Sequence, residues 1–240
     1  MGEYCFEMIG YRMSRYIPAP CIEIKLHHGA IDLFKDIELY DTRFVNCCLI
    51  GENQGITFGT GQYYAIDLVR YGEVCGLDKG KAYKHALEAA LKLSKLRLSV
   101  KLMDGSTLHT TLIYAVKEDI DTGYILIQWN RDFIPYISGQ MPKGRFLMVD
   151  ARMDGVTTNK RYCLYLLIQK HLWKLGSEEV FYLTKQALRD ALGLQEQDYK
   201  EFKVFNSSLL KPTLKDIYSK LGINLKTKVR GDRVEFSHAV

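Results

Sequence analysis

Hydrophobic residues recur along this 240-residue chain in two periods, and the order in which the periods change is the strongest pattern it holds. Cys21–Leu26 (CIEIKL) alternates like a short strand after a break bracketed by Pro18 and Pro20. Glu38–Ile50 has the spacing of a helix with Leu39, Phe44 and Cys47–Leu49 on its buried side. Ile66–Cys75 predicts a short amphipathic helix that Gly76 can stop. Asp78 is placed to cap a longer helix ending near Leu96. Its expected buried stripe is Ala82, Tyr83, Ala86, Leu87, Ala90 and Leu91, with Lys81, Lys84, His85, Glu88, Lys92 and Lys95 elsewhere on the surface. The period then falls to two. Leu98–Met103 runs into the turn Asp104-Gly105, Thr107–Val116 returns, and a turn at Asp121–Gly123 precedes the strand Tyr124–Trp129.

A connector, Ser138–Asp154, carries Gly139, Pro142 and Gly144, with Gly155 just beyond it, and reads as loop with some short structure. After it the order repeats. Thr158 can cap a helix through Leu175 that buries Leu164, Leu167, Ile168, Leu172 and Leu175, and Val180–Leu183 is a brief strand. Thr184 caps Lys185–Leu192, which Gly193 ends. Asp198 is expected to cap a long helix to Leu221, closed by Gly222 and kinked at Pro212, which has no N–H to give. Ile223–Arg230 and Arg233–Ser237 flank Gly231-Asp232 as a hairpin. Helix, turn, helix, then β-ribbon is the order of a winged helix, so the expected fold class is α+β: two tandem winged-helix domains, each a helix-turn-helix plus a β-hairpin wing. The expected division is an N-terminal extension (1–56) packed on a first domain (57–138), a connector (139–157) and a second domain (158–240).

Composition narrows the functional classes. Hydrophobic residues at 47% and charged residues at 25% fit a globular chain with room for two domains of roughly 100 residues each. No stretch approaches the roughly 20 apolar residues that cross a bilayer. The opening MGEYCFEMIGYRMSRYIPAP lacks the order of a secretory signal, and Phe6 stands where a myristoylation signal needs Ser or Thr. A cytoplasmic protein with no membrane partner is expected. Cys5, Cys21, Cys47, Cys48, Cys75 and Cys163 form no C-x-x-C pair and are expected as reduced, buried thiols. Charge is informative once divided. Residues 156–240 hold 15 Lys and Arg against 9 Asp and Glu, a net +6, whereas residues 1–155 hold 18 against 19. A positive excess confined to the last third is the footprint of a nucleic-acid-binding module.

Catalytic alternatives find little support. His27 and His28 are adjacent and would point to opposite faces of a strand, and His85, His109, His171 and His238 are scattered, so the metal-holding pair of a DNA-nicking enzyme is not evident. Gly55–Gly61 (GITFGTG) has glycines but no Lys-Ser/Thr, so no phosphate-binding loop is made. The chain is expected not to be an enzyme and to need neither metal nor cofactor.

The long helix near the C-terminus divides as a DNA-reading helix must. Phe202, Phe205, Leu209, Ile217 and Leu221 fall on one side. Lys200, Lys203, Asn206, Ser207 and Lys211 fall mostly on the other, with 203, 207 and 211 in one i+4 row. Lysine suits guanine edges or phosphates, and asparagine suits adenine. Lys226, Lys228, Arg230 and Arg233 crowd the hairpin, where a wing would meet phosphates. In the first half, Lys81, Lys84 and His85 are the corresponding candidates for DNA contact.

Those same segments resemble the iteron-binding plasmid replication initiators. Arg161–Leu167 (RYCLYLL) looks like the first helix of that family's second domain, and Leu183–Leu194 (LTKQALRDALGL) is similar to its L-x-x-L-R-x-x-L-G helix. Tyr199–Ile217 (YKEFKVFNSSLLKPTLKDI) resembles its recognition helix, and Ile223-Asn224 stands near its usual I-N. Residues 1–56 depart from the family's usual opening, and Ser207-Ser208 stand where basic residues are common. The resemblance implies monomers bound to direct repeats at a plasmid origin, melting of adjacent DNA, and recruitment of host initiator and helicase proteins. It also implies a first domain that contacts DNA backbone and forms dimers, which bind an inverted repeat in the protein's own promoter. The strands Leu108–Val116 and Tyr124–Trp129 are the candidates for such a partner-facing sheet, through Ile125 or Ile127. The residues themselves leave open a two-domain winged-helix transcriptional repressor with no role at an origin.

Overall fold

The computed structural model describes residues 11–12, 23–27, 34–52, 61–101, 105–119, 123–134, 146–150, 156–176 and 179–239. Pro18, Pro20, Cys5, Cys21, His28, Asp104, Asp121, the 55–60 glycines, Gly139, Pro142, Gly144 and Gly155 lie outside the described residues. Two short strands, β1 (Tyr11–Arg12) and β2 (Glu23–His27), precede the first helix, α1 (Leu39–Glu52). Phe44, Val45 and Leu49 of α1 are buried, with Cys47 beside them. Strand β3 (Tyr63–Ala65) leads to α2 (Leu68–Cys75), which starts at Asp67, whose carboxylate accepts the Arg70 N–H at 3.0 Å. Gly76 stops α2 in the left-handed region at φ 66°. Asp78 caps α3 (Lys79–Lys95) by accepting the Lys81 N–H at 3.0 Å.

The buried stripe of α3 is Ala82, Ala86, Ala89, Ala90 and Leu93. Tyr83 and Leu87 are half-buried and Leu91 is 39% exposed, so the stripe is rotated from the one expected. Small residues permit the rotation because α2 crosses closely. A Cβ on Gly72 would lie 2.9 Å from the Leu77 carbonyl oxygen and 3.3 Å from the Ala82 Cβ. Lys92, expected on the free surface, instead reaches Asp41 at 2.8 Å and Glu38 at 3.1 Å and ties α3 to α1. Burial opposes its charge, but the bonds to Asp41 and Glu38 prevail and raise its pKa.

The expected single strand Thr107–Val116 is two strands. β4 (Arg97–Lys101) pairs antiparallel with β5 (Thr107–Thr111), the chain turns at buried Leu112, and β6 (Ile113–Asp119) pairs with β7 (Tyr124–Trp129). The apolar residue between two β-branched runs hides this change of sheet in the sequence. A register shift between Ile113 and Ala115 leaves Tyr114 70% exposed. β7 is, with β3, an inner strand of the sheet β1-β3-β7-β6, and Ile125, Leu126 and Ile127 are all buried. Neither isoleucine faces a partner; both complete the domain's own core.

The connector contributes β8 (Phe146–Asp150), paired antiparallel with β2. α4 (Asn159–Leu172) follows, with Thr158 accepting the Arg161 N–H at 3.3 Å, and its last turn tightens into a 3-10 helix at Trp173–Gly176. Tyr162 to Ile168 are all buried, so α4 is covered on every side. Strand β9 (Val180–Thr184) ends on a cap, Thr184 accepting the Ala187 N–H at 2.9 Å, that opens α5 (Lys185–Ala191). The next helix begins later than Asp198. That carboxylate accepts the Gln195 N–H at 2.9 Å within a local turn, and Tyr199 has φ 48°, which no right-handed helix admits. The helical run then comprises α6 (Phe202–Phe205), a π-helical turn (Asn206–Leu210) and α7 (Lys211–Leu221). The irregularity expected at Pro212 takes the form of this wider turn, which places Pro212 in the first turn of α7, where a missing N–H is tolerated. β10 (Leu225–Arg230) and β11 (Arg233–His238) close the fold, with β11 also pairing with β9.

Helix, strand, helix, helix, hairpin is therefore traversed twice, once from α1 and once from α4, with β4 and β5 inserted in the first pass. The two units share one core. Asn159 at the start of α4 donates to the Phe34 carbonyl and, at 2.6 Å, to the Ile37 carbonyl, while its Oδ1 accepts from the Thr42 hydroxyl at 2.7 Å. Asn46 donates to the Tyr162 hydroxyl at 3.0 Å, and the Phe34 ring meets Tyr162 edge-on at 5.7 Å. Lys160 caps the carbonyls of Leu192 and Gly193 and reaches the Lys35 carbonyl at 3.5 Å. On its other side Arg161 pairs with buried Asp216 of α7 at 2.7 Å.

Candidate nucleic-acid interface

The helix-turn-helix of the second unit is α5, the turn after it, and the helical run 202–221. Arg189 holds that turn by donating to the carbonyls of Asp198 at 2.9 Å, Tyr199 at 3.5 Å and Gln195. Three carbonyls converging on one guanidinium fix a segment that has no regular hydrogen-bond ladder of its own. The buried face of the helical run is Phe205, Leu209, Leu210, Thr213 and Ile217, with Phe202 half-buried. Lys203, Val204, Ser207, Ser208 and Lys211 are exposed on the outer face.

The candidates on this element do not all fare alike. Lys203, Ser207 and Lys211 face outward, but the π-helical turn lies between 203 and 211 and breaks the uniform i+4 row. Lys200 is exposed in the turn, two residues before the helix, and is not part of it. Asn206 is half-buried, and its Oδ1 is enclosed without a hydrogen-bond partner. Asn206 is the first residue of the wider turn 206–210, which a 3.6-residue wheel does not anticipate.

The wing is a two-residue hairpin. Arg230 pairs with Arg233 across Gly231-Asp232, with φ 60° at Gly231. Only the first central residue has positive φ, as in a type II′ turn, whose twist matches that of the strands. Lys226, Lys228 and Arg230 alternate onto one face, opposite Ser237, Glu235 and Arg233 of β11 in register. All four basic residues are exposed. The acid among them, Glu235, was not anticipated: its side chain is 12% exposed and it holds Arg230 Nε at 2.7 Å. Wing and helix are joined at Lys185, whose N–H donates to the Asp232 carbonyl at 2.7 Å and whose ammonium lies 5.1 Å from the Phe202 ring centroid. Lys185 thus links the turn of the wing to the start of the helical run.

In the first unit the candidates on α3 each have a near neighbour. Lys81 pairs with its own capping residue Asp78 at 3.0 Å, and Lys84 lies 4.0 Å from Glu88. Both stay exposed, whereas His85 is half-buried with its ring 6.1 Å from that of Tyr40. Among the described residues no group of three or more His, Cys, Asp or Glu side chains is arranged to hold a metal, and no helix is long and apolar enough to cross a membrane.

Residues 184–236, from the cap of α5 to the second wing strand, match the family model described as Initiator Rep protein, WH2. This segment is similar to an initiator Rep winged-helix domain. Around it, the fold of nearly the whole chain is shared with the Pi initiator protein, solved in complex with iteron DNA: TM-score 0.68, 17% identity, covering 91% of this chain and 97% of that one. The WH1 domain of MSBI1.176, a replication protein isolated from a multiple sclerosis patient, covers 48% of this chain and 93% of its own length at 15% identity and a TM-score of 0.39. Domains 2 and 3 of RctB cover 88% and 82% at 10% identity and a TM-score of 0.41. No curated protein matches the chain in sequence. The helix face and wing described above both fall inside the matched segment, and the α3 candidates fall outside it.

Proposed function

We propose that this chain is a cytoplasmic plasmid replication initiator that binds repeated double-stranded DNA sites (iterons) at an origin. One observation carries the reading: the segment with the initiator Rep match is the one that carries exposed lysines and arginines on both its helix and its wing. The outer face of 202–221 enters the major groove, which is wide enough for a helix, and the wing cations lie along the phosphates. The first unit, through Lys81 and Lys84, adds backbone contacts. Bound monomers promote melting of the adjacent duplex and present the host initiator and helicase proteins with a docking surface; no step asks the chain itself for catalysis.

The proposal extends to autorepression. A homodimer formed through the first unit, in exchange with monomer, has two-fold symmetry and selects an inverted repeat in the promoter, whereas monomers select direct repeats. The near-neutral charge of residues 1–155 supports contact between copies there, and β6 is an edge strand of its sheet. Footprinting the full chain on the plasmid DNA that encodes it tests the reading. Protection of clustered direct repeats beside an A·T-rich tract is expected. A single protected operator without repeats would instead make the chain a transcriptional repressor, and no protection at all would remove the DNA-binding role.

A further inference from the structure

We infer that Val204 reads the methyl group of a thymine in the major groove, an assignment that rests on the DNA-binding reading above. Val204 is 46% exposed in the first turn of the 202–221 run. The N-terminal residues of such a helix are the ones that meet base edges. A lone exposed valine is ordinary on a protein surface; the position of this one is not. Lys203 precedes it, and Ser207, which bonds back to the Val204 carbonyl, and Ser208 are exposed on the same outer face, with Lys211 beyond them. Both serines are short, and the Ser207 hydroxyl is turned back onto the Val204 carbonyl at 3.1 Å. The patch is therefore low and its apolar feature is the valine. A β-branched residue gives up helix propensity relative to alanine or lysine, and this one leaves nearly half its surface uncovered in the free protein.

The inventory of this face points to the same base. Asn206, the side chain suited to adenine, has its amide oxygen enclosed. Lysine serves guanine or phosphate and serine bonds indifferently. The remaining distinctive group in the major groove is the 5-methyl of thymine, which an apolar side chain contacts. Val204 meets that methyl, and the flanking lysines hold the helix in the groove.

The test begins with the full chain selecting its preferred duplex from a random-sequence pool. Each thymine of that duplex is then replaced singly by deoxyuridine, which removes only the methyl. For the unaltered chain, one or two positions should each weaken binding about three- to fivefold, the effect of burying one methyl-sized group. Val204→Ala should bind the unmodified duplex more weakly by about the same factor and be indifferent to those replacements. Val204→Thr keeps a methyl at the site and should keep the sensitivity. If every deoxyuridine is neutral, or if Val204→Ala retains the same sensitive positions, the assignment to Val204 is wrong while DNA binding stands. If no duplex is selected, the DNA-binding reading falls and this assignment with it.

Discussion

Removing three wing cations, Lys226, Lys228 and Arg233, by changing them together to alanine tests whether the wing lies on phosphate. The three are exposed, and none of them pairs with Glu235 as Arg230 does, so the hairpin keeps its one ion pair. Each phosphate contact contributes about −0.9 to the slope of log K against log salt on B-DNA, so three contacts contribute about −2.7. Between about 50 and 200 mM salt, roughly 0.6 logarithmic units, that share amounts to about a 40-fold loss of affinity that the triple variant should not show. The variant should bind more weakly than the parent at low salt, on specific and random duplex alike, and the two should converge as salt rises. Fluorescence anisotropy titrations at four salt concentrations measure the slopes, with thermal melts to verify folding. A triple variant with the parental slope would place the wing away from DNA and refute the reasoning.

Glu235→Gln keeps the size of the side chain but frees Arg230; it should make the salt slope steeper by about 1 and tighten binding to random duplex, read by the same titrations. Lys203→Ala should cost about 1–3 kcal/mol on the specific site and relax preference at one position, whereas Asn206→Ala should leave base preference unchanged, both read by competition with single-base variants of the site. His171 stacks on Phe181 at 5.7 Å, and burial, then Lys174 and Lys170, lower its pKa to about 4. Because the unfolded chain takes up this proton near pH 6.5 and the folded one only near 4, the fold should lose about 1–2 kcal/mol as pH falls through that window, after discounting for partial exposure. His171→Phe should flatten this part of the pH–stability profile measured by urea unfolding, and an unchanged profile would remove His171 as the cause.

What the sequence displayed best was local chemistry. The caps Asp78 and Thr184 bond as their spacing implies, and the wing turns on two residues because Gly231 tolerates positive φ. Asp198 looked equally like a cap, but Arg189, nine residues earlier on the preceding helix, holds the turn's carbonyls and Tyr199 leaves the helical region. Cap chemistry is readable from neighbours; its defeat by a long-range guanidinium is not. The outward positions of Lys203, Ser207 and Lys211 were legible as a polar face, while the half-burial of Asn206 falls in a π-helical turn that no 3.6-residue period displays. Lys92 read as solvated because its partners Glu38 and Asp41 belong to another helix. The run from Tyr162 to Ile168 gave only part of a stripe, since a helix covered from all sides has no polar face to set its period.

That covered helix limits how this architecture can be recombined. A chimera joined at 157/158 would carry α4 away with the second unit and leave behind Phe34, Thr42 and Asn46, which touch it, in the first. The graft would then have to supply, from an unrelated chain, two carbonyls and a hydroxyl matching the amide of Asn159, and an aromatic edge matching Tyr162. Two units that look like beads on a string are exchangeable only together with the surface each has shaped for α4. DNA specificity in this molecule is therefore more readily altered by substitution on the outer face of 202–221 than by trading whole domains.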